Sequence, residues 1–162
     1  MNPANRRASS TEDVRTFQRP LYTKYVSGRR HAEGTIVSPL PSKTVLVVDD
    51  EPVVREMLAM LVSQAGYIPQ PAESGEEALE ILDAIAPEPC FVISDVLMGG
   101  MDGFDLAQRV RAKHPTMPIL LISGYVEKSH DLASLPEGVE FRRKPIDVHE
   151  IKALVDASCN LT

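Results

Sequence analysis

Cysteine is scarce in this 162-residue sequence: Cys90 and Cys159 are the two present, and they form no CxxC or other ligand-spaced pair. That argues against a thiolate zinc site and for two reduced thiols rather than a redox couple. The four histidines, His31, His114, His130 and His149, share no metal-ligand spacing, so neither a histidine-ligated metal nor histidine catalysis is expected. No apolar run approaches the roughly 20 residues needed to cross a bilayer, which removes membrane embedding. Neither GxGxxG nor a GxxxxGK stretch followed by Ser or Thr occurs, so nucleotide binding has no support. What remains, at 43% hydrophobic and 25% charged residues, is the composition of a soluble globular chain, with room for one domain plus an appendage. Cytoplasm is the natural compartment for it.

Charge is distributed unevenly. Residues 1–43 hold eight Lys or Arg against three acidic residues, a balance of +5, whereas the remainder holds nine against twenty, a balance of −11. This places a boundary near Ser42. The first segment, 1–42, contains Pro3, Pro20, Pro39 and Pro41 and shows no sustained period. A short helix could open at Ser10 or Thr11, with Val14, Phe17 and Leu21 on one face until Pro20 interrupts it. The segment therefore reads as a basic, mostly disordered tail. Arg-rich character also fits a transit peptide, but Glu12-Asp13 speaks against that.

From Thr44 the pattern becomes strand and helix in alternation. Val45–Val48 is a β-branched run suited to a strand buried on both faces. A helix from Pro52 to Ala65 follows and stops at Gly66; Tyr67-Ile68 opens a weak strand that Pro69 and Pro71 confine to a sheet edge. Ser74 and Glu77 form a capping box ahead of a helix whose apolar stripe includes Ala78, Ile81 and Leu82. Further strands are expected at Cys90–Ile93, Ile119–Ile122 and Val139–Phe141. Helices are expected at Phe104–Lys113, at Val148–Ala157 and, short and poor, at Val126–Leu132. Five strand-then-helix repeats imply an α/β fold with a parallel sheet covered on both faces, occupying 43–158 and leaving 159–162 as a C-terminal tail.

In such sheets ligands bind at the carboxyl ends of the strands. Those ends deliver Asp49-Asp50, Asp95, Ser123 and Lys144-Pro145. Taken singly, each reads as a turn, a helix cap or a surface residue; together on one edge they form a chemical set. Three carboxylates at 4 Å repel by about 4 kcal/mol per pair at a near-surface dielectric. A divalent cation such as Mg²⁺ (or Mn²⁺), bound by carboxylates, waters and phosphate oxygens, cancels that repulsion. Ser123 can donate to a phosphoryl oxygen and Lys144 adds a point positive charge. An aspartate nucleophile that forms an aspartyl phosphate then becomes sensible chemistry.

At these residues residues 43–158 resemble a response-regulator receiver domain of two-component signalling. Val45–Glu51 is similar to the family's acidic first-strand motif. Ser94–Met98 with Met101-Asp102-Gly103 is similar to its phosphoacceptor loop, Leu121–Gly124 to its hydroxyl segment, and Arg143-Lys144-Pro145 to its Lys-Pro. The resemblance implies a flavodoxin-like five-stranded sheet in the order 2-1-3-4-5, with a cis bond before Pro145. It makes Asp95 the phosphoacceptor and Asp50 the direct metal ligand. Asp49 would hold metal-bound water, and the Leu97 carbonyl would be a further ligand. Ser123 and Phe141 become the switch residues. It also implies a histidine kinase or histidine phosphotransferase as donor and a downstream protein as receiver of the signal, with a homodimer left open. Such a protein is a phosphoacceptor with self-catalysed phosphorylation and dephosphorylation rather than an enzyme in the usual sense.

The sequence departs from the family in places. Gly99 stands where Pro is usual, which should loosen the loop, and Phe141 lacks a tyrosine hydroxyl. The Ser-Gly-Tyr segment and the short helix at Val126–Leu132 resemble receivers of hybrid histidine kinases. Two other functions compete. A metal-dependent phosphatase would want a second acid/base Asp two residues after Asp95, where Leu97 stands. Nucleic-acid binding by the basic tail would be weak and salt-sensitive. Leu97 and Tyr125 flank the path of a hydrolytic water in this fold, so they are expected to tune the lifetime of the phosphorylated form.

Overall fold

The computed structural model describes residues 43–124 and 135–159. The first segment 1–42, Tyr125, the short helix expected at Val126–Leu132 and residues 160–162 lie outside them. Among the described residues, five strands and four helices follow in the order β1 Thr44–Val48, α1 Pro52–Gln64, β2 Ile68–Ala72, α2 Gly75–Ala84, β3 Phe91–Asp95, α3 Gly103–Lys113, β4 Ile119–Ser123, β5 Val139–Arg143 and α4 Val148–Cys159. The strands are all parallel and lie in the order β2-β1-β3-β4-β5. This is the flavodoxin-like receiver arrangement expected from the sequence.

Alternation along the strands sorts the core into two layers. Leu46, Val48, Val92, Ile119 and Leu121 face α2 and α3, meeting Ala78, Ile81, Leu106 and Val110. Their neighbours Val45, Val47, Ile93, Leu120 and Ile122 face α1 and α4, meeting Leu58, Val62, Ile151 and Val155. With helices on both sides, β3 and β4 are buried along their length and β1 from Val45 onward, as their apolar runs require.

β2 tolerates two prolines because it is an edge strand. The Ile68 amide donates to the Lys43 carbonyl at 3.0 Å and the Ala72 carbonyl accepts from the Asp49 amide at 3.2 Å. Even-numbered residues of β2 therefore face β1, while Pro69 and Pro71 turn their nitrogens away from the ladder, where no donor is needed. α1 starts at Pro52 and ends before Gly66, whose φ of +98° carries the left-handed turn. α4 extends to Cys159, so the residue assigned above to a C-terminal tail belongs to the last helical turn. The Lys144–Pro145 bond is cis, as the resemblance implied; Ala86–Pro87 is cis as well.

The cysteines correct the sequence reading. Cys90 and Cys159, separated by 69 positions, are joined in a disulfide with their Cα atoms 5.5 Å apart. Spacing along the chain could not reveal this, because the two are brought together by the packing of the last helix, α4, against β3.

Candidate functional site at the carboxyl edge of the sheet

Register decides which side chains meet. Val48 pairs with Ser94, Asp95 with Ile122, and Ser123 with Arg143, so the chain ends of β1, β3, β4 and β5 finish level with one another. Asp49, Asp95, Ser123 and Lys144 consequently arrive at one edge. Two backbone bonds hold the far corner of this edge: the Val96 amide donates to the Ile122 carbonyl at 3.0 Å, and the Lys144 amide to the Ser123 carbonyl at 2.9 Å.

Asp49, Asp95 and Ser123 are buried, at 1%, 8% and 1% exposure, and Asp50 is open to solvent. Lys144 Nζ lies 3.0 Å from Asp49 Oδ2 and 3.1 Å from Asp95 Oδ1, bridging two carboxylates with one ammonium. Carboxylate oxygens of Asp49, Asp50 and Asp95 all lie within 4.8 Å of one another. Burial pushes the Asp95 carboxyl above the ordinary carboxylate range; Lys144 pulls it back, and the charge of Asp49 adds to the rise. For Lys144, burial works against the ammonium. Its hydrogen bonds to Asp49 and Asp95 and their charges outweigh that, and its pKa is raised.

Three carboxylates against one ammonium leave an excess of two negative charges at the cluster, which a divalent cation would balance. The donor set is all oxygen, with no thiolate or imidazole, and so suits a hard ion of the Mg²⁺ or Mn²⁺ type. The residues fit the metal.

Several contacts at the edge were not foreseen from the sequence. The Gly99 amide donates to Asp50 Oδ2 at 2.9 Å. A proline there would lack this donor, so the glycine ties the loop to the acidic pair instead of loosening it. Arg55 Nη1 donates to the Asp49 carbonyl at 2.5 Å, reaching back from the first turn of α1. Gly103 is required sterically, because a Cβ would fall 2.4 Å from the Asp95 carbonyl oxygen. The Met-Asp-Gly motif contained that glycine, but the close approach depends on how α3 meets β3. Leu97 is 48% exposed and Phe141 is half-buried against the α2/α3 layer.

Comparison with known proteins agrees with this geometry. Residues 45–156 match the response regulator receiver domain. A stretch of 116 residues is 36% identical to the sensor kinase CckA of Brucella abortus, covering 70% of this chain and 12% of that protein. A 14.6 kDa protein of Leptolyngbya boryana is 35% identical over 123 residues, covering 74% of this chain and 92% of the relative. Among solved structures, the receiver domain of the hybrid histidine kinase CckA superposes with a TM-score of 0.60 at 36% identity, covering 72% of this chain and 98% of that one. A receiver domain from Clostridium thermocellum superposes with a TM-score of 0.67 at 24% identity, covering 73% and 94%, and shares the fold.

Proposed function

Since the chain belongs to the response regulator receiver family, we propose that it is a phosphorelay switch whose acceptor is Asp95. The supporting observation is the bridge from Lys144 to both Asp49 and Asp95 inside the carboxylate cluster. Receiver domains take phosphoryl groups from histidine kinases or histidine phosphotransferases, and a protein of that kind is the proposed donor here. An Asp95 carboxylate oxygen attacks phosphorus, the phosphorus–nitrogen bond of the donor histidine breaks, and the electron pair leaves on the imidazole. Lys144 offsets charge on the incoming group, and Ser123, at the end of β4, supplies a hydroxyl donor to a phosphoryl oxygen. Asp49 and Asp50 with Asp95 and the Leu97 carbonyl would hold Mg²⁺ or Mn²⁺, which when bound neutralises phosphoryl oxygens. Output passes to a downstream protein through Ser123 and Phe141, in the cytoplasm.

A phosphatase reading has no support from the site. The position two residues after Asp95 is Leu97, half-exposed and without a proton to give or take.

The test is to incubate the chain with acetyl phosphate or phosphoramidate and Mg²⁺ and map the acid-labile adduct. Asp95→Asn should remove nearly all of the label, and EDTA should do the same. Equal labelling of the Asn variant would overturn the assignment.

A further inference from the structure

The pair Cys90 and Cys159 lies outside the acidic site, and nothing in the proposed function uses it. Cys90 stands one residue before β3, whose other end carries Asp95, so the two are separated by the length of the strand, roughly 16 Å at about 3.3 Å per residue. Cys159 closes the last turn of α4 and is 2% exposed, packed in the layer that contains Phe91 and Val155. Cys90 is half-buried, more open to solvent than its partner. The Cys90 amide donates to the Thr44 carbonyl at 2.9 Å, which pins that cysteine to β1. Lys43 in turn bonds the Cys159 carbonyl, so both cysteines have fixed backbones.

We infer that Cys90 and Cys159 are an oxidation site: a reversible dithiol–disulfide couple that, once oxidised by a peroxide, fastens the end of α4 to the start of β3.

Their unequal exposure assigns the steps. The accessible Cys90 thiolate attacks a peroxide oxygen, the O–O bond breaks, and Cys90 becomes a sulfenic acid with release of water after proton uptake. The Cys159 sulfur, already in place, attacks the Cys90 sulfur; the S–O bond breaks, and hydroxide leaves with the thiol proton as a second water. Two thiols and one hydrogen peroxide thus give one disulfide and two waters, with two electrons passing from sulfur to oxygen. The reverse step is attack by an external thiol, followed by exchange. Cys159 Sγ lies 3.3 Å from the Cys90 carbonyl oxygen, so on reduction the Cys159 thiol would have an acceptor within reach. In compartments that keep thiols reduced, a bond of this kind forms transiently and reports oxidants.

The experiment uses the full chain, reduced with dithiothreitol and then exposed to hydrogen peroxide. Thiols are counted in denaturant, the intact mass is measured and the melting temperature recorded in each state. Oxidation is expected to remove both titratable thiols, lower the mass of the monomer by about 2 Da and raise the melting temperature by about 10 °C; dithiothreitol reverses all three. Cys90→Ser should melt at one temperature whether or not dithiothreitol is present. Cys159→Ser should hold Cys90 as a sulfenic acid that dimedone captures. If the serine variant does not fold, the thiol count and mass of the unaltered chain decide alone. Persistence of two thiols after peroxide, a cross-link between two chains, or equal melting temperatures of the two forms would overturn the inference.

Discussion

Lys144 shares one ammonium between two carboxylates, yet burial outweighs its pull on Asp95, and the consequence is measurable without any phosphodonor. Burial is the largest reason that the Asp95 pKa stands above its ordinary value of 3.8. A carboxyl with a raised folded-state pKa favours the fold below its unfolded pKa, and that contribution is lost as pH rises through the folded value. At neutral pH and without metal, the ionised Asp95 therefore works against stability. Asp95→Asn should melt higher than the unaltered chain at pH 7 in EDTA, and the difference should shrink as pH falls to about 4, near the unperturbed carboxylate range. An equal gain at both pH values would mean that charge is not its cause. Leu97, on the loop after Asp95, carries the second expectation at this scale. Loss of an aspartyl phosphate needs a water in line with phosphorus, and Leu97 can neither orient that water nor accept its proton. The phosphorylated chain should accordingly be long-lived. Leu97→Asn combined with Tyr125→Glu should shorten the lifetime tenfold or more, each tenfold corresponding to about 1.4 kcal/mol of barrier. Tyr125 lies outside the described residues, so the single Leu97→Asn variant separates the two contributions. Decay unchanged in the double variant would mean that water arrives by another route.

At the scale of elements, local chemistry that was legible in the sequence is found in place. Ser74 caps α2 by accepting the Glu77 amide at 3.1 Å, while Glu77 Oε2 accepts the Glu73 amide at 2.6 Å. Ser74→Ala should cost about 1 kcal/mol, as such caps do, visible as a lower urea midpoint with unchanged slope. No shift in the midpoint would show that the helix is held by packing of Ala78, Ile81 and Leu82 alone. The strand runs were legible because central strands of a parallel sheet are apolar on both faces. Their ends were less so: β3 and β4 continue past the apolar run to Asp95 and Ser123, because ladder hydrogen bonds extend into polar residues that hydropathy assigns to loops. Asp49, Asp50, Asp95, Ser123 and Lys144 were legible as a set, since each follows a strand that the pattern made clear. The Gly99 amide, the reach of Arg55 and the space left by Gly103 were not, because each depends on the angle at which a helix or loop meets the sheet. The cysteine pair belongs with these: closeness across 69 positions is a property of topology, not of spacing.

For the whole molecule, the question is where the folded unit begins. The composition shift places the boundary near Ser42, and the structure gives Lys43 two tasks. Its carbonyl accepts the Ile68 amide at 3.0 Å, completing the edge pairing of β2, and its ammonium bonds the Cys159 carbonyl at the end of α4. A chain that starts at Ser42 keeps both contacts and should unfold cooperatively, with a melting temperature within about 2 °C of the full chain, which corresponds to less than 1 kcal/mol at this size. It should also accept phosphate from acetyl phosphate at a comparable rate. A chain that starts at Val45 loses both contacts and the first residue of β1, and should melt clearly lower. The two cuts differ by three residues, so the comparison separates loss of Lys43 and Thr44 from loss of the tail. The first segment and the remainder carry opposite net charge, so melting is compared at 0.15 M ionic strength, where the screening length is about 8 Å. If the chain starting at Ser42 melts as low as the one starting at Val45, the first segment packs on the domain and residues 1–42 belong to the folded unit.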